Sequence, residues 1–484
     1  MRFKLVCWNL GKISMILSVT MLLPIIWSLA KGEQCFYPLL LTCFLTLSIA
    51  VSLLVIFRKS RNQTLRHREG FALVTIGWLL AAFLGALPYF WTGMIPDFAG
   101  AFFESMSGFT TTGATVLPVI ESYEQGMLMW RMVTHWLGGM GIVVLVVALS
   151  AHSKGSSNLF NAETPGSSHI ERLTPKISQT SMIMWATYLA LTIVLIILLW
   201  IEGMSFFDAV CHSFSTVATG GFSTKTASIG AFSPVIQWTI ILFMFICGAN
   251  IAYMYFLVVK RKNLYFKQEE FKVYVSIILI ATILVTFILL TNNIFPNESF
   301  EPYLRNAAFQ VVSIITTTGF ITDDFSTWPM FTKVILFMLF FVGGCFGSTT
   351  GSIKIPRWII TIKNAFKQLF ATVHPRVIAN VRLNHRLVPE KSVASTINYM
   401  IMFVMLILIG GVLVCMTGVP FYDSMCASVS CITNMGPSFG SLGSAGCYVA
   451  LPGASKVILS FLMLIGRLEV YTFFILLLPS VWKK

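Results

Sequence analysis

Apolar residues gather along the chain in ten long stretches, near 13–30, 36–57, 71–93, 127–149, 182–200, 235–259, 273–291, 331–361, 397–416 and 457–481. Each reaches or approaches the roughly 20 residues that a helix needs to cross a hydrocarbon core ~30 Å thick. The pattern predicts an all-α polytopic membrane protein with ten transmembrane helices. After the first pair, each pair of spans encloses an outer connection with a semi-apolar stretch too short to cross.

Those four short stretches align without gaps. They read AFFESMSGFTTTGA from Ala101, AVCHSFSTVATGGF from Ala209, AAFQVVSIITTTGF from Ala307 and SMCASVSCITNMGP from Ser424. A serine lies six residues before the final glycine in each: Ser107, Ser215, Ser313 and Ser430. The glycines Gly113, Gly221, Gly319 and Gly436 are spaced by 108, 98 and 117 residues, so the repeat is helix, half-buried hairpin, helix. The predicted division is an N-terminal hairpin over 1–69, then repeats over 70–176, 177–268, 269–391 and 392–484.

One such stretch alone reads as an outer loop with a glycine turn. Four of them are better explained as pore lining, because non-helical backbone survives at membrane depth only inside protein or along a watery cavity. A dehydrated cation needs oxygen ligands, and backbone carbonyls from four strands replace its hydration shell. Glycine allows the positive φ that turns successive carbonyls toward one axis, and each short helix aims its negative C-terminal end at the ion.

Charge and composition narrow the class. Charged residues make up only 11% of the chain and hydrophobic ones 56%, unlike a soluble domain. Lys and Arg occupy every second connection: Arg58 to Arg68; Lys154, Arg172 and Lys176; Lys260 to Lys262; and Lys354 to Lys391. These loops are therefore expected in the cytoplasm, with both termini. The net charge of +14 then faces anionic lipid headgroups, and nucleic-acid binding is not expected. The 10 cysteines form no CxxC pair and read as small core hydrophobes. An uncleaved first helix is expected rather than a signal peptide.

At these motifs the sequence resembles the Trk/Ktr/HKT superfamily of K⁺ transporters, whose pore is four fused membrane-P-loop-membrane units. The match runs from about Phe71 to the C-terminus, and residues 1–69 look like the extra helix pair of the bacterial Trk branch. The resemblance implies K⁺ ligation by carbonyls around Thr111, Thr112 and Gly113; Thr219, Gly220 and Gly221; Thr317, Thr318 and Gly319; and Asn434, Met435 and Gly436. Gly221 is preferred to Gly220 because it preserves the serine spacing. Some plant members carry serine at the position of Gly113 and favour Na⁺, so Gly113 implies K⁺ preference. The family further implies low-to-moderate affinity uptake across a bacterial inner membrane, a homodimer, and a cytosolic regulatory subunit that binds NAD or ATP and docks on inner loops such as 354–391.

Residues 343–352 break the apolar run that follows Gly319. Gly343, Gly347 and Gly351, at i, i+4 and i+8, suit a helix-packing face. Dense glycine, including Gly344, with β-branched threonine suits an intramembrane loop instead. The resemblance favours a loop that obstructs the path beneath the filter. Arg467 lies near the middle of the last apolar run, where a charge usually faces a pathway or a partner. It is expected to face the pore as an electrostatic barrier, with Glu469 too far around the helix to pair with it. Arg131 and His135 are expected at the rim or in packing, and His212 with Asp208 in a hydrated outer vestibule.

No Walker motif occurs, and Gly138, Gly139 and Gly141 lie in an apolar run without the context of a dinucleotide site. The chain is not expected to be an enzyme. A secondary transporter of another solute would show inverted halves, whereas these repeats are parallel. A Na⁺-permeable transporter, and coupling to H⁺ or Na⁺, stay open on sequence.

Overall fold

A computed structural model describes residues 2–61, 63, 66–141, 177–258, 268–296, 298–374, 380–384, 386–443 and 447–482. Among the described residues the architecture is helical, with one two-stranded antiparallel ribbon pairing Arg382 with Leu387 and Leu383 with Arg386. An N-terminal hairpin, α1 (Phe3–Lys31) and α2 (Phe36–Ile56), precedes four repeats. Repeat 1 comprises α3 (His67–Trp91), α4 (Phe98–Phe109) and α5 (Gln125–Gly139). Repeat 2 comprises α6 (Ile177–Ile201), α7 (Phe206–Ala218), α8 (Pro234–Gly248) and α9 (Ile251–Val258). Repeat 3 comprises α10 (Glu269–Thr291), α11 (Phe300–Ile315), α12 (Met330–Leu339) and α13 (Ile355–Val373). Repeat 4 comprises α14 (Glu390–Cys415), α15 (Phe421–Ile432), α16 (Gly453–Arg467) and α17 (Tyr471–Leu477).

Among the described residues six helices are long and apolar enough to cross a membrane, namely α1, α2, α3, α6, α10 and α14. The other four predicted spans are the second helices of the repeats, and none is a continuous helix over its apolar run. Helix α5 stops at Gly139, with 142–149 outside the described residues. The run 235–259 divides between α8 and α9, and 331–361 between α12 and α13. The run 457–481 divides between α16 and α17, bent by 113°. The break at 343–352 was expected from its glycines, but apolar composition carries through the other breaks, where continuous spans were expected and the fold has interrupted ones. Lys154, Arg172, Lys176 and Lys260 to Lys262 lie outside the described residues.

The hairpin is fastened to repeat 1 by reciprocal helix caps. Glu33 accepts from the N–H groups of Gln125 at 3.0 Å and Gly126 at 2.8 Å, at the start of α5. Glu124 accepts from Gln34 at 3.0 Å and Cys35 at 2.7 Å, at the start of α2. Each carboxylate thus satisfies orphan N–H donors of the other's helix, where the dipole favours negative charge.

Candidate functional site

The four short helices α4, α7, α11 and α15 end in one common way. In each, the serine six residues before the glycine gives its carbonyl to the N–H just before that glycine. The pairs are Thr112 to Ser107 at 2.9 Å, Gly220 to Ser215 at 2.9 Å, Thr318 to Ser313 at 2.8 Å and Met435 to Ser430 at 3.1 Å. The preceding N–H groups of Thr111, Thr219, Thr317 and Asn434 reach the carbonyls of Gly108, Thr216, Ile314 and Cys431 at 3.1, 3.0, 2.9 and 3.2 Å. These two bonds together form the Schellman termination, which places the residue after the cap in the left-handed region. Thr111, Thr219, Thr317 and Asn434 have φ of 53°, 53°, 50° and 54°. Glycine normally takes that position, and a β-branched threonine there is strained backbone held by its surroundings.

Two residues on, φ is positive again: 80° at Gly113, 85° at Gly221, 79° at Gly319 and 90° at Gly436. The four strands close into a ring. A Cβ on Gly113 would strike the carbonyl oxygen of Gly220; on Gly221, that of Thr318; on Gly319, that of Met435; and on Gly436, that of Thr112. Each glycine therefore abuts the carbonyl preceding the glycine of the next repeat, in the order 1, 2, 3, 4 and back to 1. Both a positive φ and a backbone oxygen in the way demand glycine at these four places. Gly220 differs: a Cβ there would meet the His135 ring, and its φ is not positive.

The repeats share the serine carbonyl but not the serine hydroxyl. Ser430 Oγ donates to the Gly436 carbonyl at 2.9 Å, which also accepts from Tyr448 Oη at 3.0 Å. Ser313 Oγ donates one residue further along, to Phe320, at 2.7 Å. Ser215 Oγ meets His135 Nδ1 at 3.2 Å. The oxygen of Gly436 is thus held from the protein side, unlike the others expected to face an ion.

Behind the ring the residues are buried. Arg131 and His135 are fully buried, so neither lies at a rim; His135 stacks on Phe222 with centroids 4.1 Å apart. His212 is buried too, with Nδ1 at 2.8 Å from the Asp208 carbonyl and Nε2 at 2.9 Å from Ser223 Oγ. It braces the segment after Gly221 and does not stand in a hydrated vestibule, because its side chain is buried and both ring nitrogens are taken up by protein atoms.

One face of the ring opens on a cavity lined by Gly113, Gly221, Gly319, Pro437 and Lys225. At its edge Glu121 takes the Thr226 N–H at 2.8 Å and the Thr226 hydroxyl, joining repeats 1 and 2. Burial pushes its carboxyl up, but the Thr226 bonds outweigh that and hold it below the usual range.

The opposite face is closed by residues 340–354, which are not helical. The Gly351 N–H donates to Thr317 Oγ1 at 2.7 Å, and Thr219 Oγ1 to Thr349 Oγ1 at 3.1 Å. A Cβ on Gly351 would meet the Thr433 carbonyl, and one on Gly344 that of Gly248. The Ile251 N–H at the α8–α9 break donates to the Gly347 carbonyl at 3.2 Å, and Cys345 donates to Gly248 at 3.0 Å. Gly343, Gly347 and Gly351 consequently do not form a helix-packing stripe. Lys354 Nζ donates to the Thr350 carbonyl at 2.5 Å, Thr350 Oγ1 at 2.8 Å and Ser348 Oγ at 3.1 Å.

Arg467 is the last residue of α16, not the middle of a continuous span, because Glu469 and Val470 turn to positive φ just after it. It donates to the carbonyls of Thr349 at 2.9 Å, Gly138 at 2.5 Å and Gly139 at 2.8 Å. Those glycines end α5, so the guanidinium also caps that helix's carbonyls. Glu469 pairs with Arg357 at the start of α13. Sequence reading did not pick out Glu104 or Tyr448, and it placed Lys354 and Arg357 in a basic cytoplasmic loop, whereas both are buried beneath the ring. All three charges lie beside or inside apolar runs, which was an available signal.

The family model described as "TrkH: Cation transport protein" matches residues 40–484. The Trk system potassium uptake protein TrkH of Salmonella typhimurium is 35% identical over 489 residues, covering 100% of both chains. The Trk system potassium uptake protein TrkG of Escherichia coli K12 is 30% identical and covers 96% of each chain. The crystal structure of the potassium transporter TrkH from Vibrio parahaemolyticus superposes with a TM-score of 0.90 at 31% identity, over 100% of both chains. A fourfold ring built from repeated hairpins, a family match over most of the chain and full-length relatives above 30% identity lead to one conclusion: this chain belongs to the TrkH family of cation transport proteins.

Proposed function

We propose that this chain takes up K⁺ across the bacterial cytoplasmic membrane, with the ring of Gly113, Gly221, Gly319 and Gly436 as its selectivity filter. The observation that carries the reading is the ring itself: four glycines, each against the carbonyl that precedes the next repeat's glycine. Relatives named as potassium uptake proteins of Trk systems support the choice of ion. Carbonyls of Thr111, Thr112, Thr219, Gly220, Thr317, Thr318, Asn434 and Met435, with those of the glycines, form the ligand set, and Gly436 contributes least because two donors already hold its oxygen.

Residues 343–352 act as the gate. Gly343, Gly344, Gly347 and Gly351 let the segment lie flat beneath the filter, and Arg467 holds it there while opposing cation passage. Both termini lie in the cytoplasm. The chain works as a homodimer with a cytosolic regulatory subunit, which carries the NAD or ATP and pulls on the basic segment 354–391.

The test is Rb⁺ and Na⁺ flux into vesicles holding the purified chain, comparing wild type with Gly113→Ser. Wild type is expected to carry Rb⁺ in preference to Na⁺, and the variant to lose most of that preference. Undiminished preference in a folded Gly113→Ser protein would remove Gly113 from the filter.

A further inference from the structure

The charged pair buried behind the ring is Glu104 with Arg131, and neither side chain is exposed to any degree. Glu104 lies in α4, nine residues before Gly113; Arg131 lies in α5 of the same repeat. Arg131 Nε donates to Glu104 Oε1 at 2.8 Å. The remaining contacts of the pair go to the strands that leave the ring. Glu104 accepts from the Val116 N–H at 2.9 Å and from Thr115 Oγ1 at 3.0 and 3.1 Å. Arg131 reaches Thr115 Oγ1 at 3.2 Å, then crosses to repeat 2, where it donates to the Ser223 carbonyl at 3.4 Å. Its guanidinium also lies 4.0 Å above the Phe222 ring.

Stability does not explain the pair, because a buried ion pair seldom improves on well-packed apolar side chains. Helix packing does not require it either. The position nine residues before the glycine is Glu104, His212, Gln310 and Ala427 in the four repeats. His212 holds Ser223 at 2.9 Å, and Gln310 Nε2 donates to the Asp323 carbonyl at 3.4 Å. Ala427 has nothing to donate, and there Tyr448 holds the strand by Gly436. In repeats 1 to 3 the position is therefore a strut on the strand after the glycine, and it is charged only where repeats 1 and 2 meet.

We propose that Glu104 and Arg131 are positioning residues for ion discrimination, fixing the separation of the filter strands of repeats 1 and 2. In the snug-fit account of selectivity, a carbonyl cage keeps its preference for a larger cation as long as it resists closing on a smaller one. One guanidinium bonded to Thr115 and Ser223 prevents Gly113 and Gly221 from drawing together independently. The proposal rests on the reading of the ring as a K⁺ filter.

The experiment uses full-length protein carrying Glu104→Gln with Arg131→Met, which removes both charges and leaves neither buried alone. Rb⁺ and Na⁺ flux into vesicles and the melting temperature in detergent are measured beside wild type. The expected result is a Rb⁺/Na⁺ flux ratio lowered about fivefold or more in a protein that still melts cooperatively, as for loss of a charge-assisted bond. A folded double variant with the wild-type ratio overturns the proposal, since a purely structural pair would move only the melting temperature. If the double variant does not fold, Thr115→Val decides, because it removes the hydroxyl that bridges the two side chains, at the further loss of the Leu117 N–H bond at 3.1 Å. A ratio lowered about twofold or more supports the proposal and an unchanged one overturns it. A wild-type protein without Rb⁺ preference would instead defeat the filter reading.

Discussion

Arg467 and the carbonyl of Thr349 stand 2.9 Å apart, which ties the break in the last apolar run to the loop beneath the ring. The same guanidinium reaches the end of α5 through Gly138 and Gly139. Three carbonyls from two other repeats converge on one charge, so the position the loop takes beneath the ring depends on it. Removing the guanidinium should weaken that position by about 2 kcal/mol, the net worth of a bond to a charged group. Arg467→Ala is then expected to raise Rb⁺ flux by up to roughly 30-fold. Arg467→Lys keeps a charge but loses the fork, and should fall between the two. Flux equal to wild type in Arg467→Ala would end the latch role.

The loop is also held from above by a threonine hydroxyl. Thr317→Val leaves the Gly351 N–H without its acceptor at 2.7 Å, a cost of about 1–3 kcal/mol borne only while the loop is in place. Vesicle flux should rise several-fold, with less change than Arg467→Ala produces.

Gly220 and Gly221 are adjacent but constrained by different neighbours. Gly220→Ala places a methyl against the His135 ring, so it should impair uptake, and His135→Ala on the same protein should restore part of it. Gly221→Ala places its methyl against the Thr318 backbone at a φ of 85°, and no side-chain change should rescue it. Growth of a K⁺-uptake-deficient strain on limiting K⁺ reads both outcomes. Equal rescue by His135→Ala would contradict the assignment of Gly221 to the ring.

The N-terminal hairpin is fastened by Glu33 and Glu124, away from the ring. Glu33→Gln or Glu124→Gln should cost about 1 kcal/mol each, as for loss of a helix cap. Melting in detergent should fall by a few degrees. The Rb⁺/Na⁺ ratio should not move, and a shifted ratio would mean the hairpin shapes the filter.

Much of the fold was legible because membrane depth imposes a long apolar run on each crossing segment, and repetition exposed the hairpins. The serine spacing that singled out Gly221 corresponds to a shared backbone bond, from the residue before each glycine to the serine carbonyl. The hydroxyls carried no such information, since Ser215, Ser313 and Ser430 use theirs differently. The interruptions in the second helices were harder to read. Ala249 and Asn250, or Leu468 to Val470, follow apolar residues in sequence, and nothing local there marks a break as clearly as Gly343 to Gly351.

Sequence alone determined the membrane-spanning character, the four repeats and the identity of the four glycines, because hydrophobic length and backbone conformation are local requirements. Tertiary structure decided which carbonyl each glycine faces, that Arg467 ends a helix and bonds Thr349, and that Glu104 pairs with Arg131 behind two strands. Those depend on groups from different repeats meeting in space. A charge in an apolar run announces that a partner exists, but only the folded ring brings that partner within hydrogen-bond reach.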